Sequence, residues 1–291
     1  MVASRPTLTV GVPVFNGATY LEAAVESVLS QSYRDFELII SDNASTDETE
    51  TIGRAFAARD ARVTYRRNPE NVGLAANFNL LVPLARGRLF KWASADDLLR
   101  PGYLERCVAT IEADATVVLV YPRTDFVNGD GARLDLEDPG WHLVSDDASE
   151  RLSTAIQAGH FVNAVNGVIR TDALRRTRLL APYPGSDYRL MAELALLGKF
   201  AEIPERLFVR RIHGGSSAGN AGDAAWLRRH IGGSRPGMRC GYWRLSGAHA
   251  LIVMRAPVPL SRKAVLLTQL ARTTAGRRRL LFRELVDVFG S

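Results

Sequence analysis

Across the first 120 residues, short apolar runs rich in β-branched side chains alternate with stretches of helical periodicity. This alternation is the strongest constraint on the fold. The runs are "TLTVGVPVF" (7–15), "FELIISD" (36–42), "RVTYRR" (62–67), "RLFKWAS" (88–94) and "TVVLVYP" (116–122). Their nearly continuous apolar character suits strands buried on both faces of a parallel sheet. Between the first two, residues 16–33 place Leu21, Val25, Val28 and Leu29 at helical spacing. Ser45 followed by Glu48 reads as a capping box that opens a second helix, with Ile52 and Phe56 on one face. Residues 73–87 predict a third helix with Gly87 as its stop. Residues 100–114 predict a fourth with Pro101 in its first turn. Such a series implies βαβ units and a parallel sheet with helices on both sides.

After residue 122 the pattern loosens. Asn128 to Gly131 reads as a hairpin turn, and residues 138–148 as polar and irregular. Residues 186–197 predict a helix ended by Gly198, and residues 201–213 a strand pair or one bent strand. The Gly, Ser and Ala-rich stretch 214–224 reads as a loop or linker, followed from Ala225 by a helical, basic tail. The formal net charge of +6 is concentrated there: residues 261–291 hold seven Arg and Lys against Glu284 and Asp287. A partner seeking positive charge would meet the tail. Cys107 and Cys240 lack metal-type spacing, and Cys107 falls in an apolar helical pattern, as a core residue of a reduced, cytosolic protein would. Neither a signal peptide nor an 18-residue apolar run is visible.

In open parallel sheets, ligands bind beyond the carboxyl ends of the strands. That rule selects the loops 13–17, 41–47, 66–73 and 94–97. They hold no dinucleotide-type glycine fingerprint and no phosphate-binding P-loop, and the chain has no HExxH, CxxC or GxSxG. The fourth loop carries adjacent carboxylates, Asp96 and Asp97. A hard divalent cation, Mg²⁺ or Mn²⁺, would relieve their repulsion and leave positions open for a diphosphate. The other reading is that they stabilise the following helix N-terminus. Asp42 is either an acceptor for a base or ribose or a turn residue; Phe15 and Asn16 line a base pocket, or Asn16 starts the first helix.

The order of these motifs resembles the family 2 glycosyltransferases of GT-A fold: "VGVPVFNGATYLEAAVESVLSQSYRDFELIISDNASTDET", then "NPENVGLAANFN", then "WASADD". The resemblance covers about 130 residues closely and continues loosely to Gly215. It implies an α/β fold whose mixed Rossmann-like sheet is flanked by helices. It also implies a catalytic domain over residues 1–220 with a basic helical extension over 221–291. By the same resemblance, Pro13, Phe15, Asn16 and Asp42 contact the base side, and Arg67 and Asn71 the nucleotide. Asp96 serves the ribose or metal, Asp97 ligates the metal directly, and His213 is a further ligand or phosphate contact. An acid that the extended motif has two places before the pair is Ser94 here. Asp187 matches the general base, with Glu193 as its rival; Asn163 and Asn166 are acceptor contacts or turn residues.

The activity implied is inverting transfer of a sugar from a nucleoside-diphosphate-sugar, UDP or dTDP first, to a hydroxyl acceptor. That acceptor is a glycan, a lipid-linked or a small molecule, in cell-envelope or glycoconjugate synthesis. A non-catalytic nucleotide-sugar-binding relative and a nucleotidyltransferase are the alternatives; "VPVFNGATY" lacks the basic residue that the second would need for a triphosphate. In the tail, Leu266, Leu270, Leu281, Leu285 and Phe289 form an apolar face. It either packs on the catalytic domain or in a homodimer, or lies on the anionic inner face of a membrane. Nucleic acid is not expected, since stacking aromatics are not interleaved with the arginines.

Overall fold

The computed structural model describes residues 5–157, 163–216 and 240–289. The apolar runs become β1 (Leu8–Val14), β2 (Phe36–Asp42), β3 (Val63–Arg67), β4 (Leu89–Trp92) and the first half of β6 (Val117–Asn128). Every residue of β1 and β2 is buried, which is why neither shows polar alternation. The strands not foreseen are β5 (Leu98–Leu99) and β8 (Val168–Arg170); β7 (Arg133–Leu134) closes the expected hairpin on β6. Residues 199–212 form one bent strand, β9 (Lys199–Ile212), whose register on β6 shifts near Pro122 and Arg123.

Among the described residues these form one sheet, ordered β3-β2-β1-β4-β8-β6-β9-β5 with β7 on β6. From β3 to β4 it is parallel, as the alternation predicts. Beyond β4 it is mixed: β8 runs antiparallel to β4 and β6, and β5 antiparallel to β9.

The helices are α1 (Ala18–Leu29), α2 (Thr49–Arg59), α3 (Leu74–Leu84), α4 (Tyr103–Ala113), α5 (Ala148–Gln157), α6 (Thr171–Arg175), α7 (Ser186–Leu197), α8 (Gly241–Arg255), α9 (Leu260–Gly276) and α10 (Arg278–Phe289). Leu21, Val25 and Val28 of α1 share one core with Leu8, Val10 and Val12 of β1 and with Cys107 and Ile111 of α4. A second core joins Leu81 of α3, Phe90 and Trp92 of β4, Leu152 of α5 and Leu190, Met191 and Leu194 of α7. Each fully buried side chain of this size contributes roughly 1.5–3 kcal/mol relative to exposure.

Three helix signals read differently in the structure. Ser45 caps nothing in its own helix: α2 starts at Thr49, and the Ser45 hydroxyl accepts from Asn16 N–H of the neighbouring loop. The third helix stops at Leu84, before Gly87, where a Cβ would lie 2.6 Å from Thr9 N and 2.7 Å from Leu8 C. Gly87 therefore serves close backbone approach rather than a helix end. Pro101 lies ahead of α4, whose N-cap is the left-handed Gly102 (φ +85°).

The C-terminal helices pack on the rest. Ile252 and Val253 of α8, and Leu266 and Leu270 of α9, join the second core. On α10, Leu281 is buried, but Leu285 is exposed, so the expected apolar face is split between two helices. The Phe289 side chain, most of the 214–224 stretch and the expected boundary at 220/221 lie outside the described residues. Among the described residues no helix is long and apolar enough to cross a membrane.

Candidate active site

A cleft of about 430 Å³ opens at the carboxyl ends of β1, β2 and β4. Its first wall is the turn from β1 into α1. Asn16 there has φ +50°, a left-handed conformation that Asn tolerates better than most residues. The β2–α2 loop fixes it: Thr46 N–H donates to Asn16 Oδ1 (2.8 Å) and Gly17 N–H to Thr49 Oγ1 (2.9 Å). Phe15 stands on this braced turn with 40% of its surface exposed, beside Pro13 in the cleft wall.

The second wall is a network of side-chain amides. Asn43 Nδ2–H donates to Asn71 Oδ1 (2.7 Å), and Asn43 Oδ1 accepts from Asn68 (3.0 Å) and from Val72 N–H (3.0 Å). Asn77 Oδ1 accepts from Ser41 Oγ–H (2.7 Å) and Asn68 (3.1 Å). Asn43, Asn71 and Asn77 all line the cleft, so it offers amide groups already locked in orientation.

Asp42 and Arg67 are placed elsewhere. Asp42 is wholly buried and accepts from Tyr65 Oη–H (2.5 Å) and Ser45 N–H (2.8 Å). Burial, then the bond to Asp42, pushes the Tyr65 phenol far up. Arg67 pairs with Glu50 (3.0 Å) and donates to Ser45 O (3.0 Å). Neither residue lines the cleft: the pair braces the loop that carries Asn43, a residue the sequence reading passed over.

The third wall is the acidic rim after β4. Asp96 and Ser94 line the cleft; Asp97 lies behind, 7% exposed, with Oδ1 accepting from Arg211 N–H of β9 (2.8 Å). Burial first, and the Asp96 charge second, push the Asp97 carboxyl up. His213, at the end of β9, places Nε2 3.0 Å from Asp96 Oδ2. Gly215 N–H donates to His213 Nδ1 (3.1 Å), which leaves Nε2 to carry the proton towards Asp96. The Tyr20 ring packs 4.8 Å from the His213 ring, and Arg211 lies over Tyr20 at 4.7 Å while donating to Gly129 O (2.9 Å).

Asp187 opens α7 behind the left-handed Gly185, half-buried and outside the walls of the cleft. Burial pushes its carboxyl up, against the N–H of Tyr188 (3.1 Å) and the charge of Arg210. Burial thus outweighs the helix terminus, which alone would depress it. The charge of Arg210 on β9 acts on both carboxylates and opposes the rise of each.

The model of Glycosyl transferase family 2 matches residues 9–177. The chain belongs to this family. It is 29% identical over 214 residues to the chondroitin synthase of Pasteurella multocida, covering 73% of this chain and 21% of that one. It is 28% identical over 214 residues to the chondroitin synthase of Escherichia coli, covering 72% and 29%. The chain thus spans under a third of these relatives' length. Residues 1–349 of S. aureus TarS in complex with UDP-GlcNAc superpose with a TM-score of 0.71 at 14% identity, over 97% of this chain and 80% of that one. A mannosyltransferase of Pyrobaculum calidifontis in complex with GDP-Man and Mn²⁺ gives 0.56 at 20% identity, over 95% and 76%. The fold is GT-A.

Within this family 2 chain, the cleft gathers Pro13, Phe15, Asn16, Asn71, Asp96 and His213 of the residues singled out in sequence. Asp42, Arg67, Asp97 and Asp187 do not line it. Glu193 is engaged with the Arg178 N–H (2.7 Å). Asn163 is buried between Asp138 (2.7 Å) and Arg210 (2.6 Å), and the Asn166 carbonyl accepts from Tyr103 (2.7 Å); both fasten the short 3₁₀ helix Asn163–Asn166. Among the described residues no three acidic, His or Cys side chains converge as a closed metal cage. That donor set fits Mg²⁺ or Mn²⁺, which use one or two carboxylates and complete their shell with substrate phosphates and water. Burial does most to raise the Asp97 carboxyl, and the adjacent Asp96 charge adds to it, a repulsion that a cation would offset.

Proposed function

We propose that the chain is an inverting glycosyltransferase that takes a UDP- or dTDP-sugar as donor and a hydroxyl of a cell-envelope glycan or glycolipid as acceptor. The observation that carries the reading is the Asp96–His213 pair facing a cleft whose other walls are an exposed aromatic ring and locked amides. Phe15 provides a flat face for the base, and Asn43 and Asn71 provide hydrogen-bonding groups for its edge or the ribose. Asp96, with Asp97 behind it, would hold the divalent cation, while His213 donates Nε2–H to Asp96 and orients it instead of ligating the metal. When bound, that cation supplies positive charge against the diphosphate leaving group.

Asp187 takes the proton. Its raised carboxyl is a stronger base than an ordinary aspartate, which favours proton transfer from an alcohol. The acceptor oxygen forms its bond to the anomeric carbon as the bond from that carbon to the β-phosphate oxygen breaks. The electron pair leaves with the nucleoside diphosphate, the proton stays on Asp187, and direct displacement inverts the centre. The domain over residues 1–220 performs this chemistry, and residues 221–291 form its extension.

Radiolabelled UDP- and dTDP-sugars incubated with the chain, Mn²⁺ and a hydroxyl acceptor test this reading. Transfer should fall by about 10²–10⁴-fold in Asp187→Asn, with nucleotide binding unchanged. Equal transfer by Asp187→Asn would assign the base to another residue.

A further inference from the structure

Helix α10 presents apolar side chains in two directions. Leu281 is buried against α8, whose Trp243 Nε1–H donates to the Leu281 carbonyl (3.2 Å), and Glu284 accepts from Tyr242 N–H (3.0 Å) at the start of α8. On the other side Phe282 is 69% exposed, Val286 51% and Leu285 37%. Positions 278, 282, 285 and 286 recur at three- and four-residue intervals, so these residues share one outward face. Arg278, Arg279 and Arg283 are exposed along the same helix. Among the described residues none of the three forms an ion pair. A solvent-facing helix surface ordinarily carries polar groups; this one carries large apolar groups bordered by exposed arginines.

We propose that this face of α10 docks on the surface of an anionic lipid bilayer. Phe282, Leu285 and Val286 enter the headgroup boundary, and Arg278, Arg279 and Arg283 meet lipid phosphates. Charge complementarity selects this occupant. A second copy of the same face would set the three arginines against their own kind. A nucleic acid would use the arginines but leave Leu285 and Val286 without a stacking role.

Co-sedimentation of the full chain with vesicles tests the proposal. One set is pure phosphatidylcholine; the other contains about 30% phosphatidylglycerol, an anionic lipid of the kind that attracts basic helices. The chain should pellet with the anionic vesicles and not with the neutral ones, and less so as salt is raised. Phe282→Ser/Val286→Ser and, separately, Arg278→Gln/Arg279→Gln/Arg283→Gln should each weaken binding by about tenfold or more. Melting temperatures near that of the unsubstituted chain check that the variants fold. Three results would overturn the proposal: no pelleting with either vesicle, undiminished pelleting of both variants, or a concentration-dependent dimer in sedimentation velocity that Phe282→Ser/Val286→Ser abolishes. The last assigns the face to a second copy.

Discussion

Lys91 sits on the central strand β4 with no exposed surface, and its replacement by Met should stabilise the protein in a pH-dependent way. Its Nζ donates to the Asn166 carbonyl and lies 3.1 Å from Tyr103 Oη, over the faces of Tyr103 and Phe208. Burial brings its ammonium from 10.5 down to about 7. At about 1.4 kcal/mol per pKa unit, keeping the charged form in this site costs about 5 kcal/mol at pH 7 and below. Lys91→Met removes that cost and forfeits a hydrogen bond or two, each about 1 kcal/mol. The Asn166 carbonyl keeps its bond from Tyr103 Oη–H (2.7 Å), so no acceptor is stranded. The net gain at pH 7 is about 3 kcal/mol. Between about pH 7 and 10.5 the unfolded chain holds the proton that folded Lys91 has released, so the stability of the unsubstituted protein rises with pH. The advantage of Met should therefore shrink by about 3 kcal/mol between pH 7 and pH 9.5. Urea unfolding of both proteins at the two pH values measures it. A difference that does not change with pH would falsify the assignment of a destabilised buried ammonium.

Two further outcomes are expected. Gly87→Ala would push a methyl group to 2.6 Å from Thr9 N and 2.7 Å from Leu8 C, backbone atoms at the start of β1. It should destabilise by about 1–3 kcal/mol, and an unchanged melting temperature would contradict the close approach. Phe15→Ala removes a ring that is 40% exposed and supports no core. Melting should be unaltered, while nucleoside diphosphate affinity falls by about 5- to 100-fold in isothermal titration, the range for loss of one base–aromatic stack. Unchanged affinity would place the base elsewhere.

The parallel half of the sheet was legible because β1 and β2 are buried on both faces, so each carries a run of apolar residues without polar alternation. The antiparallel half was not. β8 has three residues and β5 two, too short for any periodicity, and tertiary pairing alone defines them. The end signals failed where side chains serve a neighbouring element instead of their own, as with Ser45 and Gly87. In the site, Phe15, Asn71 and Asp96 were found because the loops at strand carboxyl ends hold them. Asn43 follows the conspicuous Asp42 and was overlooked. Only packing reveals that Asp42 turns inward to Tyr65 while its neighbour faces the cleft. The order of Asp96 and Asp97 is equally invisible in sequence, because the Arg211 N–H that draws Asp97 back comes from a strand more than a hundred residues away.

Isothermal titration of UDP, dTDP, GDP and CDP, each with Mn²⁺ and with EDTA, addresses most directly the idea that the acidic rim exists to hold a cation against a diphosphate. Expected is one nucleotide that binds at least about tenfold tighter with Mn²⁺, and loss of that gain in Asp96→Asn/Asp97→Asn. Binding that ignores the metal for all four nucleotides, or a metal effect that survives in the double variant, would contradict it.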